Sequence, residues 1–362
     1  MVLLGSTGSI GRNTLSIAKK FNLKITALCA NKNSELLNRQ IEEFSPKFVA
    51  IGDEAKACEI NHANVFAGAE GVLEMIDAAY KEGMVLVNAL VGIAGLAPTA
   101  KALEKGYKVA LANKESLVSA GEFLDISRIV PIDSEHFGLW YLLNGREPKK
   151  LTLTASGGAF RDTPLERLKN AKIEEALNHP NWKMGQKITI DSATMINKLF
   201  EILEARWLFN ANNIDALIEP KSIVHALVDF VDGSTTAHLA KTDMRLPIAF
   251  ALLGEVKEPI LSPVNLLEIK NIEFHVIDFK RYPAWELREI LLEKPHLGTV
   301  LNAANETAAE LFLQNKIAFT DIAVYSLKAM KEFESAHARN LGEVFSIDKE
   351  VKAFCTRIKG VS

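Results

Sequence analysis

The sequence predicts an α/β protein with an N-terminal Rossmann-like parallel sheet, a central α+β domain and a C-terminal helical domain. Three observations carry this. Over the first third of the chain, short aliphatic runs alternate with helical patterns, and strands separated by helices need crossover connections, hence a parallel doubly wound sheet. Past about residue 133 the rhythm changes to alternating strands that stop at glycine turns. From Ala284 onward good helix formers dominate, as in Ala303-Ala304-Asn305-Glu306-Thr307-Ala308-Ala309-Glu310. The expected boundaries are 1–133, 134–255, a linker over 256–283 and 284–362. A chain of 362 residues has room for two or three domains at about 150 residues each.

Taken in order, Val2-Leu3-Leu4 opens as a strand, runs into a glycine turn and is followed by a helix over 13–20. Lys24-Ile25-Thr26-Ala27-Leu28-Cys29 is the next strand, and 34–44 the next helix. Further strands fall at 48–51, 85–87, 108–111 and 129–132. In the central region Leu151-Thr152-Leu153-Thr154 alternates and ends at Ser156-Gly157-Gly158. Residues 192–209 have the pattern of one long amphipathic helix. The runs 223–230 and 235–239 flank Asp232-Gly233, a hairpin signal. Pro259, Pro263 and Pro283 punctuate the linker. There is no internal repeat and no low-complexity tract.

Composition narrows the function classes. With 42 basic and 45 acidic residues the net charge is -3, which gives no footprint for nucleic acid or an anionic membrane as partner. The longest apolar runs, such as 246–253, are far too short to cross a bilayer. Cys29, Cys58 and Cys355 are widely spaced, excluding a zinc ribbon and a disulfide framework and suiting a reducing compartment. Met1 leads straight into a strand pattern, so no signal or transit peptide is expected, and the protein is expected in the cytoplasm.

Gly5-Ser6-Thr7-Gly8-Ser9-Ile10-Gly11 follows the first strand and opens the first helix. Glycines there allow a tight turn and let backbone N–H groups approach a pyrophosphate at a helix N-terminus. The spacing is GxxGxxG, so a turn kept only for its geometry is the competing explanation. An NAD-preferring fold carries an acidic residue about 20 residues past this loop for the ribose 2′-hydroxyl. Here the corresponding stretch is Ala30-Asn31-Lys32-Asn33-Ser34. A 2′-phosphate would be welcomed by Lys32, so NADP is expected over NAD; the plainer reading of Lys32 is a solvated lysine.

Asp133-Ser134-Glu135 lies just past a strand, where open α/β sheets place their ligand sites. In extended backbone the two carboxylates point to one side, and such a pair is costly without a proton or a cation. In the helical stretch from Asp191, residues Ile196, Leu199, Phe200, Leu203 and Trp207 form an apolar stripe. Asn197, Lys198, Glu201 and Glu204 share the other face. That face fits a solvated surface with a Lys198–Glu201 pair as well as a ligand-bearing one, and spacing alone favours the former. All-oxygen ligation would select Mg²⁺ or Mn²⁺ over zinc.

Ser156-Gly157-Gly158 can form a nest of donors around an anion. Ser192, expected near a helix start, and Lys198 could add to it. The run His179-Pro180-Asn181-Trp182-Lys183-Met184-Gly185 has the makings of a lid; its plainer reading is a surface turn in which Trp182 packs locally. No GxSxG elbow and no Cys/His pair suggests covalent catalysis.

Together these segments resemble the 1-deoxy-D-xylulose 5-phosphate reductoisomerase family. The matching stretches are 5–11, 112–117, 131–136, 155–160, 179–185, 191–209, 219–225, 243–247 and 301–306, in family order and spanning nearly the whole chain. By that resemblance Asp133, Glu135 and Glu201 bind a divalent metal, which turns the reading of the helix face toward ligand binding. Lys114, Ser134, Glu135, Ser156, His179, Ser192, Asn197, Lys198 and Glu201 contact substrate, and Trp182 sits on the lid. Thr7, Gly8, Ser9, Ile10, Lys32, Asn33, Asn113, Glu115 and Gly185 line the NADPH site. Glu204 and His225 are supporting polar residues. The implied catalytic set is Asp133, Glu135, Glu201, Lys114 and His179. The sequence departs from the commoner pattern at Asn31, over Phe137-Gly138-Leu139-Trp140 and at Ala159.

The resemblance implies a central catalytic domain and an NADPH- and metal-dependent rearrangement and reduction of 1-deoxy-D-xylulose 5-phosphate to 2-C-methyl-D-erythritol 4-phosphate, in isoprenoid precursor synthesis. The metal would be Mg²⁺ or Mn²⁺, with Co²⁺ a further candidate, and the protein a homodimer. Two rivals stand beside it. One is an NADPH reductase of another phosphorylated carbonyl compound without rearrangement; the other is a non-catalytic NADP-binding sensor.

Overall fold

The computed structural model describes residues 1–358, and the chain divides into two compact units. The first comprises Met1–Ser116, Leu124–Asp133 and Asp243–Leu261. Its strands are β1 (Val2–Leu4), β2 (Ala27–Ala30), β3 (Phe48–Ile51), β4 (Val65–Ala67), β5 (Val85–Asn88), β6 (Lys108–Leu111) and β7 (Ile129–Pro131). They form one parallel seven-stranded sheet in the order β4-β3-β2-β1-β5-β6-β7. Strand order reverses between β1 and β5, the place where doubly wound sheets bind ligands beyond the strands' carboxyl ends. Val2, Leu3, Leu4, Leu28, Leu86 and Val87 are fully buried, as expected of a sheet covered on both faces. The sequence pattern misses β4, a half-buried edge strand of three residues. Such a strand carries no alternation to read.

Residues 243–261 belong to this first unit, not to the central domain or the linker where the sequence pattern puts them. The reason is the helix Arg245–Leu253, whose Ile248, Ala249 and Ala251 are buried in the same apolar cluster as Leu3, Leu28 and Val49.

The second unit comprises Leu117–Phe123, Ser134–Thr242 and, among the described residues, 262–358. Its strands β8 (Pro148–Ala155), β9 (Ile214–Ile218), β10 (Val224–Phe230) and β11 (Thr235–Leu239) form a sheet in the order β11-β10-β8-β9. β10 runs antiparallel to β8 and β11, and β9 parallel to β8. The expected Asp232-Gly233 hairpin is present, with Gly233 at φ +87°. The C-terminal helices Gly298–Leu313, Asp321–Glu332 and Leu341–Arg357 share one apolar core with Leu151, Leu153, Leu199 and Phe200 of the central region. That common core is why the central and C-terminal parts form one compact unit. Among the described residues no helix is long and apolar enough to cross a membrane.

The long helix expected over 192–209 is two helices, Gln186–Ala193 and Ile196–Leu208, broken at Met195, which takes a left-handed φ of 66°. Ser192 therefore ends one helix instead of starting another, and the anion-favouring N-terminus belongs to the second helix, with Asn197 and Lys198 in its first turn. Of the apolar stripe, Ile196, Leu199, Phe200 and Leu203 are buried and Trp207 is half-buried. The other face is not solvated: Lys198, Glu201 and Glu204 are also buried. A helix polar on one side and buried on both must satisfy its charges internally.

Candidate active site

The glycine loop follows β1 at the strand-order reversal. At Gly5, φ is +79° and a Cβ would lie 2.5 Å from the Ala89 carbonyl oxygen; at Gly11 it would lie 2.2 Å from the Gly5 carbonyl oxygen. Only glycine allows the chain to fold this closely. The Gly5 and Ser6 N–H groups both donate to the Cys29 carbonyl at 2.8 Å, fixing the loop to the end of β2. Gly8 and Ser9 lie exposed at the start of the helix Ser9–Lys20, flanked by half-buried Thr7 and Ile10. Lys32 is exposed just beyond β2, and Asn33 caps the helix Ser34–Phe44 by accepting from the Leu36 N–H at 3.0 Å. Asn113 is wholly buried, donating to the Leu90 and Gly92 carbonyls at 3.1 and 2.9 Å and to Glu115 at 2.9 Å. Its side chain thus shapes the loops after β5 and β6. Gly185 starts the helix Gln186–Ala193 in the second unit.

Asp133 ends the first unit, and its chain continues through Ser134 to Glu135 at the head of the helix Ser134–Leu143. One carboxylate oxygen each from Asp133, Glu135 and Glu201 lie within 4.8 Å of one another. Asp133 and Glu201 are buried, and leaving such charges uncompensated would cost several kcal/mol apiece. The Lys114 ammonium lies 2.7 Å from Asp133. Lys198 donates to Glu201 and to the Thr154 carbonyl, and lies 3.8 Å from Glu135. Asn197 donates to the second Glu201 oxygen, and Ser134 Oγ donates to Glu135 at 2.7 Å. Fully buried His136 bonds the Glu201 carbonyl at 2.9 Å and lies 3.9 Å from Glu204, while His225 lies 3.8 Å from Glu135. Three convergent carboxylates with no thiolate or imidazole in the set fit a hard divalent cation.

A second cluster lies wholly within the second unit. His179 Nε2 is 2.9 Å from Ser156 Oγ and 3.2 Å from Ser192 Oγ. His179 Nδ1 accepts the N–H groups of Asn181 and Trp182 at 3.1 and 2.9 Å, so the ring carries its proton on Nε2. Burial, and secondarily the nearby Arg161 cation, push the His179 pKa down to about 4. The residue is therefore a neutral N–H donor facing two hydroxyls. Gly158 packs against this corner so tightly that a Cβ would lie 2.6 Å from the Ser192 carbonyl oxygen. Trp182 stacks edge-on against His225 with ring centroids 6.2 Å apart.

The His179 tautomer makes an NMR prediction. Followed by its ring carbon resonances, His179 should titrate near pH 4 instead of the usual 6.5. Because the unfolded chain binds this proton first, stability should fall as pH drops from about 6.5 toward 4. A titration midpoint near 6.5 in the folded protein would contradict the buried neutral donor.

Three family profiles match the chain: 1-deoxy-D-xylulose 5-phosphate reductoisomerase over residues 1–121, and its two C-terminal domain profiles over 129–209 and 239–354. The reductoisomerase of Nautilia profundicola is 56% identical over 98% of this chain and 99% of its own. The chain belongs to the 1-deoxy-D-xylulose 5-phosphate reductoisomerase family. The Helicobacter pylori reductoisomerase is 51% identical over the full length of both chains. Among solved structures, a reductoisomerase in complex with NADPH, fosmidomycin and magnesium is 34% identical, with a TM-score of 0.88 over 98% of this chain and 97% of that one. The Zymomonas mobilis reductoisomerase in complex with NADPH is also 34% identical, with a TM-score of 0.86 over the same shares.

In this reductoisomerase-family chain, several polar residues to which the sequence analysis gave no individual role brace the site segments. Asn181 donates to the Pro220 carbonyl at 2.8 Å and to Ser222 Oγ at 2.7 Å, tying the 179–185 loop down. Glu219 is fully buried and accepts the N–H groups of Lys221, Ile223 and Val224 at 2.9, 2.7 and 3.2 Å. Asp191 accepts from Asn305 at 2.8 Å and pairs with Lys187 at 2.8 Å, bracing the helix end that carries Ser192. Glu219 binds N–H groups two to five residues on and Lys187 lies one helical turn from Asp191, but the contacts to Pro220, Ser222 and Asn305 join residues far apart in sequence and have no local signature. Asn181 alone lay inside a segment singled out as a lid.

Proposed function

We propose that the chain converts 1-deoxy-D-xylulose 5-phosphate to 2-C-methyl-D-erythritol 4-phosphate with NADPH and a divalent metal held by Asp133, Glu135 and Glu201. The observation that carries this reading is the convergence of those three carboxylates in a chain of this family. The substrate's carbon chain breaks and rejoins in a retro-aldol/aldol rearrangement to the branched aldehyde. Hydride and a proton then reduce that aldehyde to the alcohol, leaving NADP⁺. When bound, the divalent ion supplies Lewis acidity toward a ketone and its neighbouring hydroxyl, and NADPH supplies the hydride.

The chain's own residues bind, orient and exclude water. Ser156, Ser192, Asn197 and Lys198 take the phosphate, with the neutral His179 N–H as a further donor. Binding so far from the reacting bonds can drive closure of the Trp182 loop and shed water. Lys114, Ser134 and Glu135 orient substrate oxygens. The glycine loop from Thr7 to Ile10 takes the pyrophosphate at a helix N-terminus, with Lys32 toward the 2′-phosphate and Asn33, Asn113, Glu115 and Gly185 completing the pocket.

The test is NADPH oxidation by the purified protein given 1-deoxyxylulose 5-phosphate, with Mg²⁺, with Mn²⁺ and after chelation, with the product identified by mass and NMR. Metal-dependent formation of the branched polyol phosphate is expected. Oxidation without a metal would point to simple carbonyl reduction, and NADPH binding without turnover to a sensor.

The protein acts as a homodimer in this reading. β11 forms the edge of its sheet, and beside it the helix Ser134–Leu143 presents Trp140 and Tyr141, each half exposed, with Tyr141 packed on His238 of β11. An open strand edge flanked by exposed aromatics favours association. Light scattering should give twice 39.9 kDa, and the double variant Trp140→Glu, Tyr141→Lys half of that. A wild-type monomer at micromolar concentration would sink the idea. The free cysteines, one exposed and two buried, accord with a cytoplasmic setting.

A further inference from the structure

The two glycines of the 156–158 loop have positive φ, +86° at Gly157 and +68° at Gly158. Glycine peptides of this kind flip readily, because both orientations are sterically open. In this fold they are gripped from outside. The Tyr282 hydroxyl, on a side chain only 1% exposed, donates to the Gly157 carbonyl at 2.8 Å. Arg161 Nη1 donates to the Ser156 carbonyl at 2.9 Å and to the Pro220 carbonyl at 3.1 Å. Arg281, next to Tyr282, holds the following turn through the Phe160 and Thr163 carbonyls at 2.7 and 2.6 Å.

In a planar trans peptide the C=O and the N–H point in opposite directions. A Gly157 carbonyl held outward by Tyr282 therefore sends the Gly158 N–H inward, where it meets Ser156 Oγ at 3.0 Å. The Ser156 carbonyl held outward by Arg161 aims the Gly157 N–H the same way. We propose that Tyr282 and Arg161 are positioning residues for the substrate phosphate, holding two successive N–H groups toward the Ser156–His179–Ser192 corner. A flip of either peptide would turn a carbonyl oxygen toward the anion instead of a donor. Holding the productive orientation before binding removes that ordering cost from the binding step. Burial pushes the Tyr282 hydroxyl up to about 12, so it stays a donor across the working pH range. This inference rests on the phosphate-site reading given above.

The test is steady-state kinetics of Tyr282→Phe, which removes one hydroxyl and keeps the ring packing, and of Arg161→Lys. Each should raise the KM for 1-deoxyxylulose 5-phosphate about five-fold, the loss expected from one oriented hydrogen bond, with kcat within about two-fold and NADPH affinity unchanged. Lys198→Ala is run in parallel. Should it raise KM while both positioning variants, folded by circular dichroism, leave KM unmoved, the inference is overturned and the phosphate site stands. Should Lys198→Ala also leave KM unmoved, the phosphate site falls and the inference with it. A fall in kcat with KM constant would mark a merely structural role and overturn the proposal. If Tyr282→Phe does not fold, Arg161→Lys decides.

Discussion

Glu201→Gln is expected to lower kcat about a thousand-fold. The substitution keeps the size of the side chain and one of its oxygens but removes a charge from the three-carboxylate cluster. Lewis-acid stabilisation of developing charge is worth several kcal/mol, and about 4 kcal/mol corresponds to three decades of rate. NADPH affinity should stay within about two-fold of wild type, because the glycine loop and Lys32 belong to the other compact unit. The discriminating measurement pairs turnover at saturating Mg²⁺ with NADPH titration by fluorescence. Near-normal turnover would remove Glu201 from the metal site, and parallel loss of NADPH binding would point to general misfolding.

Lys198→Ala should produce the second large effect, in two separable parts. Losing the ammonium proposed to hold the phosphate should raise KM for the substrate about a hundred-fold, the scale of removing a desolvated charge–charge contact, with a smaller change in kcat. The same ammonium neutralises buried Glu201 and lies near Glu135. Metal-free variant protein should therefore be destabilised by about 3–5 kcal/mol, the usual cost of stripping one partner from a buried ion pair. A divalent cation would restore that compensation, so Mg²⁺ should raise the thermal midpoint more in the variant than in wild type. An unchanged KM would take Lys198 out of the phosphate site; an equal response to Mg²⁺ would refute its part in balancing the carboxylates.

Much of this was legible in the residues. Strand β6 and the helix Ser34–Phe44 fall where their patterns put them, because their apolar periodicity is uninterrupted and their ends carry turn or cap residues. The candidate site segments were singled out through motif resemblance more than through periodicity. Spacing alone favoured a solvated face for Lys198, Glu201 and Glu204, and the structure buries all three. A one-dimensional pattern records which side of a helix is polar, not whether a second layer of protein covers it. The break at Met195 escaped for a related reason. Methionine has no turn preference, so nothing in the sequence marks the left-handed φ of 66° that the buried Met195 takes. The clamps from Tyr282 to Gly157, Arg161 to Pro220 and Asn305 to Asp191 are invisible locally, since each joins a side chain to backbone or carboxylate far along the chain.

The first unit is assembled from separated pieces of chain, and this has a consequence for biosynthesis. Its sheet is complete at Asp133, yet the helix Arg245–Leu253, which supplies Ile248, Ala249 and Ala251 to the sheet's apolar cluster, is translated only later. At roughly 5–20 residues per second the ribosome needs about 6–25 s to pass from 133 to 261. For that interval the nascent sheet carries an uncovered apolar patch while the middle of the molecule is still emerging. Nucleotide binding to the nascent chain should therefore mature late, and a chain stalled before residue 243 should be a chaperone client even though every strand of its sheet has been made.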